Sequence, residues 1–421
     1  MNIRQGSKQT DKEEIPEEWD IRKLGDKRVT RQMKAGGTPL RTRKEYYESG
    51  TIPFVRIEDI TTSRKYLNKT ELKITDSGLK NSSTWLVPEK SILYSMYASY
   101  GEAVINKIPV VTNQAIIAII PSENVDLEYL YYSLNNIKTT LYKYLRETTQ
   151  KNLNAEIVKN LKVPLPPLVE QQKIASILLT VDEAIQKTDK VIWKAEMLKR
   201  GLMQRLLTRG IGHTRFKKTE IGEIPEEWDV VRLEEVCSIR KNRRISIPDR
   251  VTVIPMEKIP EDGIYTAYLM RRKDDVKSGV YCRAGDILLA KITPSFENGK
   301  QGIVPEIPSD IAIATTEVFP IVCKNGVDSF FLFYNLKRPL IRNILASRMT
   351  GSTGRQRVPM KVVERFQIAL PQLPEQQKIA SILSDVDDKI AKEKQRKQQL
   401  EQLKKGLMRV LLTGKVRVKV E

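Results

Sequence analysis

The chain has 421 residues, enough for two or three domains that each bury a core. Hydrophobic residues make up 40% and charged residues 29%, the balance of a globular chain rather than a disordered one. Lysine and arginine total 72 against 52 acids, and the resulting net charge of +20 favours a polyanionic partner, nucleic acid first. The basic residues are spread along the chain and not gathered in one block, which argues against a membrane surface. No run approaches the length of an apolar span, MNIRQGSKQTDKEE does not read as a signal peptide, and cytoplasmic residence is expected. Cys237, Cys282 and Cys323 show no CxxC spacing, so neither a disulfide framework nor a thiolate metal site is expected.

In chain order, EIPEEW (Glu14–Trp19) opens a globular stretch. Short β-type runs follow: TIPFVRI from Thr51, WLVP from Trp85, SILYSMY from Ser91 and AIIAII from Ala115. A helical segment is expected near Leu127–Leu145, and VPLPPL (Val163–Leu168) then leads into a long helix. That helix carries EQQKIASIL (Glu170–Leu178), GLM from Gly201 and LLT from Leu206. The same words then recur in the same order. EIPEEW returns at Glu223–Trp228, followed by β-type runs VTVIP from Val251, DILLAKIT from Asp286 and VFPIVC from Val318. A second helical segment is expected near Ser329–Leu345. ALPQLP (Ala369–Pro374) leads into EQQKIASIL (Glu375–Leu383), GLM from Gly406 and LLT from Leu411. A repeat of this length decides architecture before local detail does: the chain is two copies of one unit. SILYSMYASYGEAVI aligns with DILLAKITPSFENGKQGIV, so the two inserts share a fold although their sequences diverge.

The two helices carry narrow apolar stripes of coiled-coil type. Ile174, Leu178, Val181, Ile185, Thr188, Ile192 and Ala195 step by four and three, continued by Leu198, Leu202 and Leu206. In the second copy the stripe is Ile379, Leu383, Val386 and Ile390, then Leu400, Leu403, Leu407 and Leu411. Glu170 and Glu375 suit the positive helix start, and Gly210 and Gly414 suit a left-handed cap at the end. About 40 residues span about 60 Å, and a seam of that length needs a partner, here the other copy packed antiparallel. Centring the two helices on each other sets Gly201 opposite Ala380 and Gly406 opposite Ala175, a small-on-small approach. The fold expected is α+β: two globular α/β domains with an internal pseudo-twofold repeat, joined by two long helices in an antiparallel coiled coil. The boundaries expected are 1–165 and 211–370 for the globular domains, 166–210 for the central helix and 371–421 for the C-terminal helix and tail.

No catalytic constellation is evident. The single histidine, His213, lies in the linker between the copies, which excludes histidine metal clusters and histidine-dependent triads. No GxxxxGK[ST] loop, no strand-following GxGxxG, no NPPY-like tetrapeptide and no well-spaced PD…(D/E)xK pattern occurs. The chain is expected to be non-enzymatic, to bind no metal and to hold no cofactor itself.

With EIPEEW opening each half, EQQKIASIL behind a proline-rich lead-in and GLM…LLT at the helix end, the whole chain resembles the specificity subunit of type I restriction–modification systems. The resemblance implies two target-recognition domains, each reading one half of an asymmetric bipartite site in double-stranded DNA. It also implies conserved helices that set the spacing and dock two methyltransferase subunits, with restriction/translocase subunits joining the full complex. S-adenosylmethionine is then expected in the partner methyltransferase. The residue-level reading agrees: a basic, duplicated, non-catalytic chain with a rigid spacer suits a reader whose two heads lie about one duplex turn, roughly 34 Å, apart.

Base reading needs Arg, Lys, Asn and Gln, with Ser, Thr and Tyr filling in. The first-half candidates are Thr38, Arg41 and Arg43; Ser95, Tyr97, Ser99 and Tyr100; and Arg146, Gln150, Lys151, Asn152 and Asn154. Those in the second half are Arg271 and Arg272; Lys291, Thr293, Ser295 and Asn298; and Arg355, Gln356 and Arg357 in GSTGRQR. TTQKN and GSTGRQR lie at similar distances before their EQQ words, so they are expected to be matching loops. Two other readings remain open at this stage. A recognition fragment of a single-chain methyltransferase–nuclease would need a catalytic motif, and a pure assembly scaffold would leave the charge unexplained.

Overall fold

A computed structural model describes residues 7–9, 14–97, 101–147, 153–240, 248–276, 278–352 and 354–419. The chain forms two compact units, residues 1–186 with 398–421, and residues 187–397. The expected boundaries set the helices apart from the globular domains. Instead, each unit takes the first part of one long helix and the last part of the other.

The central helix runs Leu168–Arg209 and the C-terminal helix Leu373–Leu411. Gly210 and Gly414 follow with φ of 63° and 71°, the left-handed caps that glycine takes without strain.

In the first unit, a five-stranded sheet has the order Thr30–Ala35, Ile116–Pro121, Ile92–Ser95, Ala103–Asn106, Tyr66–Leu67. A three-stranded sheet carries Ile52–Val55 between Leu72–Ile74 and its parallel neighbour Val111–Thr112. The second unit repeats this plan. Its main sheet runs Cys237–Ile239, Val318–Cys323, Ile287–Ala290, Gln301–Ile303, and Tyr265 bridges in parallel to Ile303 where the first unit has the strand Tyr66–Leu67. Its other sheet pairs Arg250–Ile254 in parallel with Ala312–Ala314, flanked by Leu269–Arg272 and Val280–Cys282. The alignment of SILYSMYASYGEAVI with DILLAKITPSFENGKQGIV therefore matches hairpins of like topology. WLVP contributes only an isolated bridge, Val87 to Val110. The first helical segment spans Leu127–Glu147, whereas its counterpart breaks into Ser329–Lys337 and Pro339–Ala346 because Pro339 cannot continue a helix.

The repeated words form the frame. Strand Asp20–Lys23, just past EIPEEW, pairs antiparallel with Lys162–Leu165 of the proline-rich lead-in, and Asp229–Arg232 pairs the same way with Gln367–Leu370. Trp19 is fully buried and donates its indole N–H to Glu170 at 3.0 Å; Trp228 does the same to Glu375 at 3.0 Å. Gln171 accepts from the Asp126 amide and donates to Pro166 O, and Gln376 matches it with Asp328 and Pro371. Each buried amide thus ties a helix start to the loop beside it, satisfying groups that would be costly to leave unpaired.

Within each unit the helix segments pack antiparallel. In the first, Ile174, Ala175 and Leu178 share a core with Leu411 and Leu412, and Lys404 Nζ lies 2.7 Å from Asp182. In the second, Met203, Leu206 and Leu207 share a core with Ile379, Ala380 and Leu383, and Lys199 meets Asp387 at 2.6 Å. Tyr132 donates to Asp182 and Tyr334 to Asp387, so both units hold the same tyrosine–aspartate–lysine chain.

Three features of the expected seam are corrected. Leu198 and Leu403 are 56% and 50% exposed, and in the central helix Met203 and Leu207 join the expected Leu206 in the buried stripe after Ala195. The pairing register is shifted: Lys199 pairs with Asp387 and Lys404 with Asp182, where the expected centring would set Ile382 and Ile177 opposite them. Gly201 and Gly406 consequently face open space, and a Cβ on either would meet nothing within 4 Å. Nothing in the structure explains why glycine occupies them. The other seam residues lie inward: Ile174, Leu178, Val181, Ile379, Leu383 and Ile390 are buried, and Ile185, Leu202, Val386 and Leu407 are half-buried.

Candidate nucleic-acid interface

The second unit gathers several candidate readers. Strand Ile287–Ala290 runs into Lys291, and the turn that follows carries Thr293, Ser295 and Asn298. GSTGRQR is expected to be a loop, but Thr350–Ser352 and Arg355–Arg357 form an antiparallel hairpin. The first strand requires glycine at its centre: Gly351 has φ of 129°, and a Cβ there would lie 2.6 Å from Arg355 O. The hairpin docks on the turn through Thr293 N to Gln356 O at 3.0 Å and Val358 N to Lys291 O at 2.8 Å. Lys291, Thr293, Arg355, Gln356 and Arg357 are thereby brought together, with both arginines exposed. Burial, and then the nearby Arg357 charge, lower the Lys291 pKa, and its ammonium lies 5.0 Å over the Phe319 ring. This local excess of positive charge suits phosphate, and the paired arginines suit guanine edges. Thr293 donates to Glu297 at 3.0 Å, while Asn298 is exposed and Ser295 half-buried. Arg271 and Arg272 belong to the other sheet, on edge strand Leu269–Arg272, where they line a separate cleft with Arg250, Asp274 and Asp275.

In the first unit, Gly36 and Gly37 press their loop against Thr112 and Ser83, where a Cβ would overlap those residues. The loop leads to Thr38, which donates to Gln114 at 2.6 Å, and to the exposed Arg41 and Arg43. Arg43 lies 3.6 Å from Glu45. Ser95 is a correction: it is fully buried in a central strand and donates to Tyr97 O, so it cannot reach a base. Tyr97 is exposed. Asn154 caps the short helix Ala155–Lys159 by accepting from Ile157 N at 2.8 Å, a structural use for its side chain. Ser99, Tyr100, Gln150, Lys151 and Asn152 lie outside the described residues, as does the Arg146 side chain.

Sequence reasoning missed Gln114, whose signal was a polar TNQ between two apolar runs, and the frame residues Trp19, Trp228, Asp182, Asp387, Lys199 and Lys404. Those six stand at matching places in both copies, which was the available signal. Among the described residues no acidic, histidine or cysteine cluster could hold a metal, and no helix is long and apolar enough to cross a membrane. Burial pushes the thiols up, Cys237 to about 11 and Cys282 and Cys323 to about 12, which leaves them protonated and poorly nucleophilic at neutral pH.

Residues 16–192 and 225–402 each match the type I restriction modification DNA specificity domain. The type I restriction enzyme MjaVIII specificity subunit of Methanocaldococcus jannaschii is 30% identical over 96% of this chain and 94% of its own length. The MjaIX specificity subunit of the same organism is 27% identical over 98% and 96%. Among solved structures, one concerned with complex assembly and conformational transition of the type I system has a TM-score of 0.58 at 16% identity, covering 96% of this chain and 99% of its own. The type I S subunit from M. genitalium has a TM-score of 0.57 at 15% identity, covering 96% and 97%. With both halves matched and a relative aligned end to end, the chain belongs to the type I restriction–modification specificity subunits, the non-catalytic DNA-recognition components of those systems.

Proposed function

We propose that each globular unit reads one half of an asymmetric, two-part DNA site. The observation that supports this most directly is a constant frame with unlike loops. The Trp–Glu and Tyr–Asp–Lys contacts recur in both units, whereas the first presents Thr38, Gln114, Arg41 and Arg43, and the second presents the Lys291 turn and the Arg355–Arg357 hairpin. The two long helices set the spacing of the half-sites. They also dock two methyltransferase subunits, a role supported by Leu198 and Leu403, which stand exposed at matching places in the two copies. S-adenosylmethionine is held by those partners, restriction/translocase subunits complete the assembly, and the complex works in the cytoplasm.

The test reconstitutes the chain with its methyltransferase and maps methylated sites by single-molecule sequencing. Replacing Arg355, Gln356 and Arg357 with alanine is expected to relax or change one half-site only, at about 1–3 kcal/mol per lost base contact. An unaltered motif, or equal damage to both halves, would overturn the assignment.

A further inference from the structure

We propose that the second unit holds a phosphate group in the cleft between the carboxyl end of the central helix and the broken pair Ser329–Lys337 and Pro339–Ala346, bound by Lys337, Arg338 and Arg342. The cleft has a volume of about 960 Å³. Two of its cations already have partners: Lys199 meets Asp387 at 2.6 Å and Lys394 meets Glu196 at 2.9 Å. Among the described residues, Lys337, Arg338 and Arg342 have only neutral ones. Lys337 Nζ lies 3.5 Å from Gly299 O, Arg338 donates to Leu207 O at 3.3 Å, and Arg342 donates to Lys337 O at 3.2 Å. Among the described residues no carboxylate comes within 4.0 Å of these three; from farther off Asp262 acts on Lys337 and Arg342, and Asp387, already paired with Lys199, acts on Lys337.

Burial lowers the pKa of all three side chains, that of Lys337 to about 8, with the charges of Arg342 and Lys199 adding to the shift. Half-buried like charges without a counter-ion are unfavourable. A phosphate oxyanion supplies the missing charge and matches the planar forks of two arginines with a lysine beside them. The cluster is no part of the repeated frame. Aligning Tyr132 with Tyr334 puts Asn135 and Asn136 where the second unit has Lys337 and Arg338. A site carried by one copy alone is not explained by the contacts that both copies make.

The phosphate belongs either to a free phosphate compound or to the DNA backbone, and one experiment separates them. The full chain is titrated by calorimetry with inorganic phosphate, with pyrophosphate and with a short duplex. The wild type is compared with the double variant Lys337→Met, Arg342→Gln, both checked by circular dichroism. A free ligand predicts that pyrophosphate binds the wild type, that binding weakens as pH rises past 8 and Lys337 loses its proton, and that the variant loses at least tenfold in affinity. A backbone ligand predicts no response to the small anions but at least tenfold weaker duplex binding by the variant. If the variant binds all three probes as the wild type does, or the wild type binds none, the site is refuted. Should the double variant fail to fold, Arg338→Gln decides in the same titrations, with at least threefold weakening expected. The site does not depend on the DNA reading: pyrophosphate binding without half-site preference would sink that reading and leave this one standing.

Discussion

Beside Tyr132 the first unit holds a largely buried ion pair, where the second unit has apolar side chains. Lys65 is 5% exposed; its ammonium lies 2.6 Å from Glu128 and donates to Tyr132 OH at 2.8 Å, while Tyr66 OH donates to Glu128 at 2.7 Å. The strand register equates Tyr66 with Tyr265, since one pairs with Ile105 and the other with Ile303. Ile264 then stands for Lys65 and Phe330 for Glu128, and the rings of Tyr265 and Phe330 meet edge to face at 6.2 Å. A buried ion pair and a well-packed apolar pair of similar size are close in net stability, whereas half of either is not. The ammonium and the carboxylate therefore come and go together. This is how two copies of a frame diverge while the tyrosine–aspartate–lysine chain in front of them stays the same.

The largest effect expected is from Glu128→Ala, which strands Lys65 without a counter-charge and should cost about 3–5 kcal/mol in urea unfolding. The double change Lys65→Ile, Glu128→Phe, which copies the second unit, should restore stability to within about 1 kcal/mol of the parent or above it. If the double variant is as unstable as the single one, the two pairs are not interchangeable. A smaller contrast lies at the helix starts. Arg417 lies 2.8 Å from the buried Glu170, which among the described residues otherwise keeps Trp19, whereas Glu375 meets His213 at 2.9 Å and keeps Trp228 and the Ile211 amide. Arg417→Ala should cost about 2 kcal/mol and His213→Ala about 1 kcal/mol; the reverse order in the same denaturation assay would contradict this reading. The smallest effect concerns Gly406, exposed in mid-helix with open space around its Cα. Gly406→Ala should stabilise the free chain by about 0.5–1 kcal/mol, and destabilisation would restore the close approach that the geometry excludes.

Much of the fold was legible because its signals are short-range or repeated. The helices announced themselves by their stripes and terminal glycines, and the shared plan of the two inserts by one aligned pair of hairpins. What misled was the stripe's end. Leu198 and Leu403 continue the heptad spacing, but an α-helix drifts relative to a strict heptad, and in the central helix Met203 and Leu207 turn inward beside the expected Leu206. Among the candidate readers, Arg355 and Arg357 are exposed whereas Ser95 is fully buried, and residue type offered all three equally because a serine on a central strand reads the same as one on a loop.

By itself, the sequence determined the duplication, the absence of recognisable catalytic and nucleotide-binding motifs, the basic charge and the positions of both long helices. Each is a property of residue types and spacings along the chain. Only the tertiary structure decided the pairing register, the docking of the Arg355–Arg357 hairpin on the Lys291 turn, and the cluster of Lys337, Arg338 and Arg342. Those depend on which side chains distant in sequence share one buried volume, and there charge and hydrogen-bond balance settle the arrangement.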